Sequence, residues 1–592
     1  MIKHQTILTF AFLAIVFLLN AQEKGVAELS YIRLTNGLNH PEFEGGKSDF
    51  ALSDINMDGH VDILSIGDHG CPGVGTDQQG IMIWFGDGEG NFTLHKGGDF
   101  GYGGVCAGDV NNDGYPDIAY GMHHNYSASD FGDQLIEVAL GDGTGLNFIP
   151  WDDGLATAGE DWGMFGTDLG DVNNDGRLDL VSVSFGCCSG IQVYLNQGDG
   201  SWQHVFGFSG GNSDMIVKFA DLNKDGYLDF VASHENGLAY FGDGTGNFVK
   251  NDTGLPLAEG WILTGVSTAD VNHDGADDVA FVNMEEGLDV YTWSKETLTW
   301  TSISGNLPET GDYQLTQLAD MNSDGYVDLL AYGNRLLQVW LGNGQGDWTL
   351  ATNFQTSGQM GNARALQTGG DLTKNGMPDI VLLTEEGTWL SSKNILYVFA
   401  ENSPAENLWI KANYPSGGEN FYPGSVRNIR WASQIPASLP SSVDLSYSTQ
   451  GAMGPWVTIA ASIPNNGLHQ WIVPDVDSDL CYVKLVVHQG DENASATSIA
   501  PFSILGSVSN REQQPVRIQG EAISPNPAED WITINKAVEA ERIIILSMQG
   551  KTMLDAEVAS FRINIMGLNP GIYVYQLKTK QHGVIIGRFI KL

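Results

Sequence analysis

The chain is short of positive charge. It has 28 Lys and Arg against 72 Asp and Glu, a formal charge of −44 over 592 residues. A surface of that sign repels phosphates, which argues against a nucleic-acid partner. Cysteine is scarce as well, five residues in all, so disulfides do not make the fold. Cys71, Cys106, Cys187 and Cys188 lie close enough in sequence to leave one pairing open outside a cell. Cys481 stands alone among apolar strand residues and reads as a small buried hydrophobe. Beyond the first twenty or so residues no apolar run is long enough to span a membrane. Catalytic signatures are missing too: there is no H-E-x-x-H, no G-x-S-x-G and no phosphate-binding loop.

What the chain does have is 75 Gly and 42% apolar residues, the balance of a folded, turn-rich, mainly β protein. Its length implies several domains. Lys3 and His4 precede the apolar run Ile7–Leu19, and Asn20, Ala21 and Gln22 follow. That order reads as a secretory signal peptide, residues 1–21, cut after Ala21.

A nine-residue acidic loop, D-x-N-x-D-G-x-x-D, recurs six times in full. Positions 1, 3, 5, 7 and 9 are Asp54, Asn56, Asp58, His60 and Asp62 in the first copy, and Asp109, Asn111, Asp113, Tyr115 and Asp117 in the second. The third has Asp171, Asn173, Asp175, Arg177 and Asp179, and the fourth has Asp221, Asn223, Asp225, Tyr227 and Asp229. The fifth has Asp270, Asn272, Asp274, Ala276 and Asp278, and the sixth has Asp320, Asn322, Asp324, Tyr326 and Asp328. A seventh copy, Asp371–Asp379, carries Thr373 and Asn375 at positions 3 and 5. Successive copies start 55, 62, 50, 49, 50 and 51 residues apart, a repeat architecture.

The spacing has a chemical reason. Side-chain oxygens at positions 1, 3 and 5 of a tight loop converge on one point. Gly at position 6 permits the turn, position 7 offers a carbonyl, and Asp at position 9 closes the shell. Such an all-oxygen set suits Ca²⁺ better than Mg²⁺. Six structural calcium sites and a weak seventh are the expectation. An EF-hand is excluded, because it needs a bidentate Glu at position 12 and flanking helices. Here position 12 is Ser65, Tyr120, Ser182, Ala232, Phe281 or Ala331, and short β-branched strands follow. A single Asp/Asn/Gly loop is an ordinary turn; six copies with the same positions intact ask for a cation. The ligand positions of the loops hold twenty of the 72 carboxylates, so metal sites explain much of the acidity better than an acidic tail does.

Each repeat reads strand, acidic loop, strand, variable loop, then a hairpin such as Ile81–Phe92, with counterparts at Val138–Phe148, Val193–Trp202, Ala239–Phe248 and Val339–Trp348. The fifth hairpin, Tyr291–Trp300, lacks the glycines. Four short antiparallel strands in about 50 residues make one propeller blade. The hairpins and loops together resemble FG-GAP/VCBS repeats, the module of the integrin α-chain propeller. The resemblance implies a seven-bladed propeller over residues 22–408 with structural calcium in each complete loop, on the face opposite the usual ligand surface. Leu29–Leu38 resembles the segments that end other blades and is expected to supply the outer strand that blade seven lacks, closing the ring.

After Trp409 the acidic repeats stop. Residues 409–506 alternate like the strands of a sandwich and resemble an Ig/fibronectin-III-like module. Residues 507–519 read as a linker. Residues 520–592 begin with Ile523, Ser524, Pro525, Asn526 and Pro527, continue through Gly571, Ile572 and Tyr573, and finish on a basic and apolar strand. They resemble the type A sorting domain of the Bacteroidota type IX secretion system. That implies handling by the secretion machinery and release or attachment at the outer cell surface. The expected fold class is therefore all-β: propeller, sandwich and a small C-terminal sandwich.

No catalytic residues are assigned. The loops after the second strand of blades one to four collect His69, His123, His124, Tyr126 and His234, and Trp162 joins them from a neighbouring connection. They mark a ligand face for glycan or protein opposite the calcium loops. The main reading is a recognition or adhesion module. The alternative is a polysaccharide lyase or hydrolase using the same face.

Overall fold

The computed structural model describes residues 29–38, 43–44, 49–66, 80–98, 103–122, 130–160, 163–184, 190–208, 213–234, 239–256, 264–356, 363–386, 393–436 and 440–506. Towards the C-terminus it describes 523–524, 528–534, 540–547, 551–558, 561–579 and 584–592. Every regular element described is a strand. The chain forms two compact units, Met1–Leu505 and Gly506–Leu592.

Six four-stranded antiparallel sheets follow one another as blades one to six. Blade one is Ala51–Ser53, Asp62–Ile66, Ile81–Gly86 and Phe92–Gly97; blade four is Ser213–Ala220, Asp229–His234, Ala239–Gly242 and Phe248–Lys250. In blade seven, Ala363–Gln367, Ile380–Glu386 and Lys393–Glu401 take their fourth strand from the other end of the repeat region. Tyr31–Leu34 pairs antiparallel with that third strand, Tyr31 opposite Glu401 and Leu34 opposite Val398. The expected closure by the N-terminal stretch is what the structure has, and it covers the edge of that third strand.

Period-2 alternation explains how the blades stack. In blade one Ile63 and Trp84 pack with Val381 and Leu396 of blade seven. Their neighbours Leu64 and Ile83 face the other way, onto Ile118 and Tyr120 of blade two. Five further clusters join blades two to three, three to four, four to five, five to six and six to seven. The second strands are buried on both faces, which is why they read as continuous apolar runs rather than alternating ones.

The same unit continues into a sandwich. Trp409–Tyr414, Val426–Gln434 and Leu468–Ile472 form one sheet. Ser441–Ser448, Val457–Pro464 and Ser478–Gln489 anchor the other. Ile410, Ile429 and Trp431 of the first sheet bury against Val443, Leu485 and Phe502 of the second. Cys481 is free and fully buried in this core, as its setting in the sequence suggests; Cys106 is also free. The other three cysteines lie outside the described residues, as does the apolar N-terminal segment.

The second unit packs a three-stranded sheet on a four-stranded one, with Ile532, Ile534, Ile543, Ile545, Leu577 and Phe589 between them. None of the described residues forms a helix long and apolar enough to cross a membrane.

Candidate functional site

All seven acidic loops sit between the first and second strands of their blades, on one face of the ring. Their frame repeats closely. Position 4 is left-handed in every copy, from Met57 to Lys374, with φ between 56 and 59°. Position 6 is a glycine with φ between 85 and 105°. Only glycine takes the latter values freely. These two turns aim backbone N–H groups inward at the position-1 carboxylate. In the six complete loops its Oδ1 accepts the N–H of position 5 at 2.9–3.1 Å, and its Oδ2 accepts that of Gly at position 6 at 2.8–3.0 Å.

Position 9 does something the sequence does not announce. It is the first residue of the second strand in blades one to six and directly precedes it in blade seven, and it is fully buried in every copy. Its Oδ2 accepts the N–H of position 2, 3.1 Å in blade one. Its Oδ1 reaches across to the third strand and accepts the N–H of Gly86, Gly141, Asn196, Gly242, Gly342 or Glu401 at 2.8–2.9 Å. Asn196 and Glu401 make the bond without being glycine; in blade one glycine is needed because the third strand passes close to the loop. A Cβ on Gly86 would lie 2.5 Å from the carbonyl oxygen of Val61. Blade five lacks the glycine, and Asp278 Oδ1 is buried there without a hydrogen-bond partner.

The side chains at position 4 then tie neighbouring loops together. Asn112 donates to Gly176 O at 2.8 Å, Asn174 to Gly226 O at 3.3 Å and Ser323 to Gly376 O at 2.9 Å. Lys224 reaches Asp274 O, and Lys374 of blade seven reaches Gly59 O of blade one. These bonds join loops two to three, three to four, four to five, six to seven and, across the point where the ring closes, seven to one.

Burial of these carboxyls has an electrostatic consequence. Burial, followed by the charges of Asp54 and Asp58, pushes Asp62 up to about 8 against the hydrogen bond from Gly86. Burial also raises Asp54 to about 6 and Asp117 to about 7. The donor set is thus hard oxygen, acidic and short of positive charge, which fits a divalent cation of the calcium type. As they stand, no three His, Cys, Asp or Glu side chains among the described residues are grouped so as to hold a metal ion. In loops one, two, three and six the side chains of positions 3 and 5 are instead hydrogen-bonded to each other, as in Asn56 Nδ2 to Asp58 Oδ2 at 2.9 Å, whereas Asn223 Nδ2 of loop four donates to Asp229 and Asn272 Nδ2 of loop five to Thr292. Position 7 contributes its N–H, which donates to the position-5 carboxylate at 2.8–3.1 Å.

The sandwich lies on this face and touches every loop. Asn466 Nδ2 donates to Asp54 Oδ2 at 3.2 Å. Gln470 Nε2 donates to Asp109 O at 2.8 Å, and its Oε1 accepts Asp109 N–H at 3.2 Å. Val426 N–H donates to Asp171 Oδ2 at 2.8 Å. Arg427, itself buried, bridges Asn174 Oδ1 at 3.0 Å and Gly226 O at 2.7 Å, linking loops three and four. Tyr422 stacks on Tyr227 at 4.7 Å. Gly418 packs so close to Gly275 that a Cβ there would lie 2.4 Å from its carbonyl. Lys411 pairs with Asp320, and Gln434 Nε2 donates to Asn375 O at 2.8 Å. Four of these partners, Lys411, Arg427, Gln434 and Gln470, are polar residues on strands whose other positions fill the sandwich core. The alternation marks an outward polar face, but nothing in the sequence says what it meets.

A buried carboxyl pair in blade two also escaped the sequence reading. Pro150 pairs with Ala139, and Trp151 N–H bonds Val138 O at 2.8 Å, so Asp152 comes opposite Glu137. Glu137 is wholly buried and Asp152 nearly so. Burial first, then Asp152, raises Glu137 to about 10. Residues far apart in an irregular repeat give no signal of such pairing.

The proposed ligand face is another matter. His69, His123, His124, Tyr126 and Trp162 lie outside the described residues. Of His234 only the backbone is placed, at the end of the second strand of blade four, opposite Ser213.

FG-GAP-like repeats match residues 54–120, 171–232, 270–331 and 320–382, and a secretion system C-terminal sorting domain matches 522–591. The chain therefore carries an FG-GAP-repeat β-propeller and a sorting domain that implies secretion and cell-surface attachment. No curated protein matches it. Among solved structures it is similar to an Agrocybe aegerita lectin described as recognising non-reducing terminal N-acetylglucosamine, at 19% identity and a TM-score of 0.35, over 55% of this chain and 81% of that one. It is also similar to the BP39L lectin of Burkholderia pseudomallei, at 12% identity and 0.40, over 60% and 96%. An ancestral GH74 enzyme matches at 10% identity and 0.37, over 94% and 78%. Overlaps this loose say nothing about binding or chemistry here.

Proposed function

We propose that this secreted FG-GAP propeller is a surface recognition protein, with one end a calcium-stiffened base and the other a ligand face for glycan or protein. The observation that carries the reading is the sandwich's contact with all seven acidic loops. An end already occupied by the chain's own domain has little surface left for a partner. Recognition then belongs to the opposite end, for which the sequence of blades one to four offers histidine and aromatic residues after the second strands.

In this reading Ca²⁺ is held by positions 1, 3, 5 and 9 of the complete loops, with the position-7 carbonyl. The ion supplies positive charge where buried carboxylates otherwise repel one another. Positions 3 and 5 would turn their oxygens to the ion, while the position-9 strut holds loop and hairpin together. Residues 1–21 direct export, and the sorting domain passes the chain to the type IX machinery.

The test is binding of the purified, calcium-loaded chain to a glycan array, run beside product assays on the same polysaccharides. Binding without turnover, weakened in a combined His124→Ala and Trp162→Ala variant of unchanged stability, is the expected result. Product formation would move the reading to the enzyme alternative. Binding lost only on altering the loops of blades five to seven would move the site.

A further inference from the structure

The sandwich donates to the same oxygen in three loops. Position-1 Oδ2 receives Asn466 Nδ2 in blade one, Val426 N–H in blade three and Lys411 Nζ in blade six. The first two donors are neutral and the third is an ammonium. Its aim is set by the strand it stands on. Ile410 and Ala412 point into the sandwich core, 6% and 2% exposed, so Lys411 between them points out at the propeller. It arrives beside the loop's own turn, 3.6 Å from where a Cβ on Gly325 would sit. Asp320 Oδ2 already accepts Gly325 N–H at 2.9 Å, and Oδ1 accepts Asp324 N–H at 3.1 Å. With Lys411 added, the carboxylate is fully engaged and its charge is met from within the chain. The side chains of the pair are only 20% and 12% exposed, so water screens them little. Among the described residues no other position-1 carboxylate forms an ion pair. Arg177 in loop three pairs with the position-5 carboxylate, Asp175, and is the loop's own residue.

We propose that Lys411 is a built-in substitute for the cation of the sixth loop, which makes this complete loop the weakest calcium site of the six. The inference rests on the calcium reading of the loops. It also gives the sandwich a second role, since the domain that covers the loop face sets which of its sites load. A fixed positive charge against one ligand opposes a divalent ion and leaves less negative charge to attract it.

The experiment is a ⁴⁵Ca²⁺ equilibrium-dialysis isotherm of the full chain after chelator stripping. The expected wild-type isotherm has one site at least ten-fold weaker than the rest. Lys411→Met should bring that site into the tight class, and Lys411→Arg should keep it weak. Asp320→Ala should delete only the weak site, whereas Asp225→Ala should delete a tight one. An isotherm in Lys411→Met identical to wild type, with calcium bound by both, would overturn the proposal. So would loss of a tight site in Asp320→Ala, which serves even where the Lys411 variants fold poorly. Absence of bound calcium from every chain would overturn the calcium reading, and this inference with it.

Discussion

Blade four and blade seven carry the same loop frame to different ends. In both, position 4 is left-handed, position 6 is a glycine with positive φ, and position 9 is a buried strut. In blade four, position 5 is Asp225, whose Oδ1 takes the N–H of Tyr227 at 2.9 Å and whose charge is met by no ion pair among the described residues. In blade seven, position 5 is Asn375, 5% exposed. Its side-chain amide donates to Glu401 O at 2.8 Å and Ser403 O at 3.2 Å, and its backbone carbonyl accepts Gln434 Nε2 from the sandwich. Beside it Lys374 closes the ring onto loop one. A carboxylate at that position leaves a charge for a cation; an amide supplies donors that bind the chain to itself. The seventh loop is better understood as a joint than as a calcium site that lost a ligand.

The broadest way to break the comparison is to remove the metal. Chelation should lower the melting temperature by about 10 °C or more, because each site held at hundredfold excess stabilises by about 2.7 kcal/mol. Loops one to five should loosen and the seventh should not, which hydrogen exchange by blade would read. An unchanged melting curve after verified metal loss would sink the calcium reading. Next in size is deletion of residues 29–38. Blade seven then exposes an edge and loses buried Leu29 and Leu38, and aggregation should appear in light scattering. A monomer of unaltered stability would show that the joint holds without its strand.

Removing the strut sharpens the contrast. Asp229→Ala strands the N–H groups of Leu222 and Gly242, and Asp379→Ala those of Leu372 and Glu401. In chelator each should cost about 2–5 kcal/mol by denaturant unfolding. In calcium the blade-four variant should cost more and the blade-seven variant the same. Asn375→Asp is smaller and more direct. It restores the motif's carboxylate but loses two donated bonds and faces Glu401, so it should destabilise by about 1–3 kcal/mol and bind no added calcium. A gain of one ion would return the seventh loop to the metal class.

The smallest effect concerns a carboxyl pair outside both loops. Glu137 has a folded value of about 10 against 4.5 ordinarily, so folding favours its proton. Its stabilising contribution is complete below pH 4.5 and is lost as pH rises towards 10. Glu137→Gln keeps the neutral form and should flatten that decline, melting a few degrees above wild type at pH 9 in calcium. Parallel curves for the two chains would show the pair does not share a proton.

The loop frame was legible because it repeats: six copies at near-constant spacing announce the turns, the blade boundaries and the buried second strands that follow. The closing strand was legible for the same reason, as a blade-ending segment displaced to the other terminus. Position 9 was read only as a ligand, since its bond to the third strand crosses 13 to 24 residues in different blades. The position-4 bonds between loops were invisible because Asn, Lys and Ser share no pattern beyond the ability to donate.

Local sequence alone thus carried the strands, the turns, the repeated loops and the C-terminal sorting domain, because those depend on residues a few positions apart. Only the tertiary structure decided that the sandwich covers the loop face and that Lys411, Arg427 and Gln434 meet particular loops. Those contacts join residues 59 to 253 apart, and their partners are chosen by the register in which two folded domains meet.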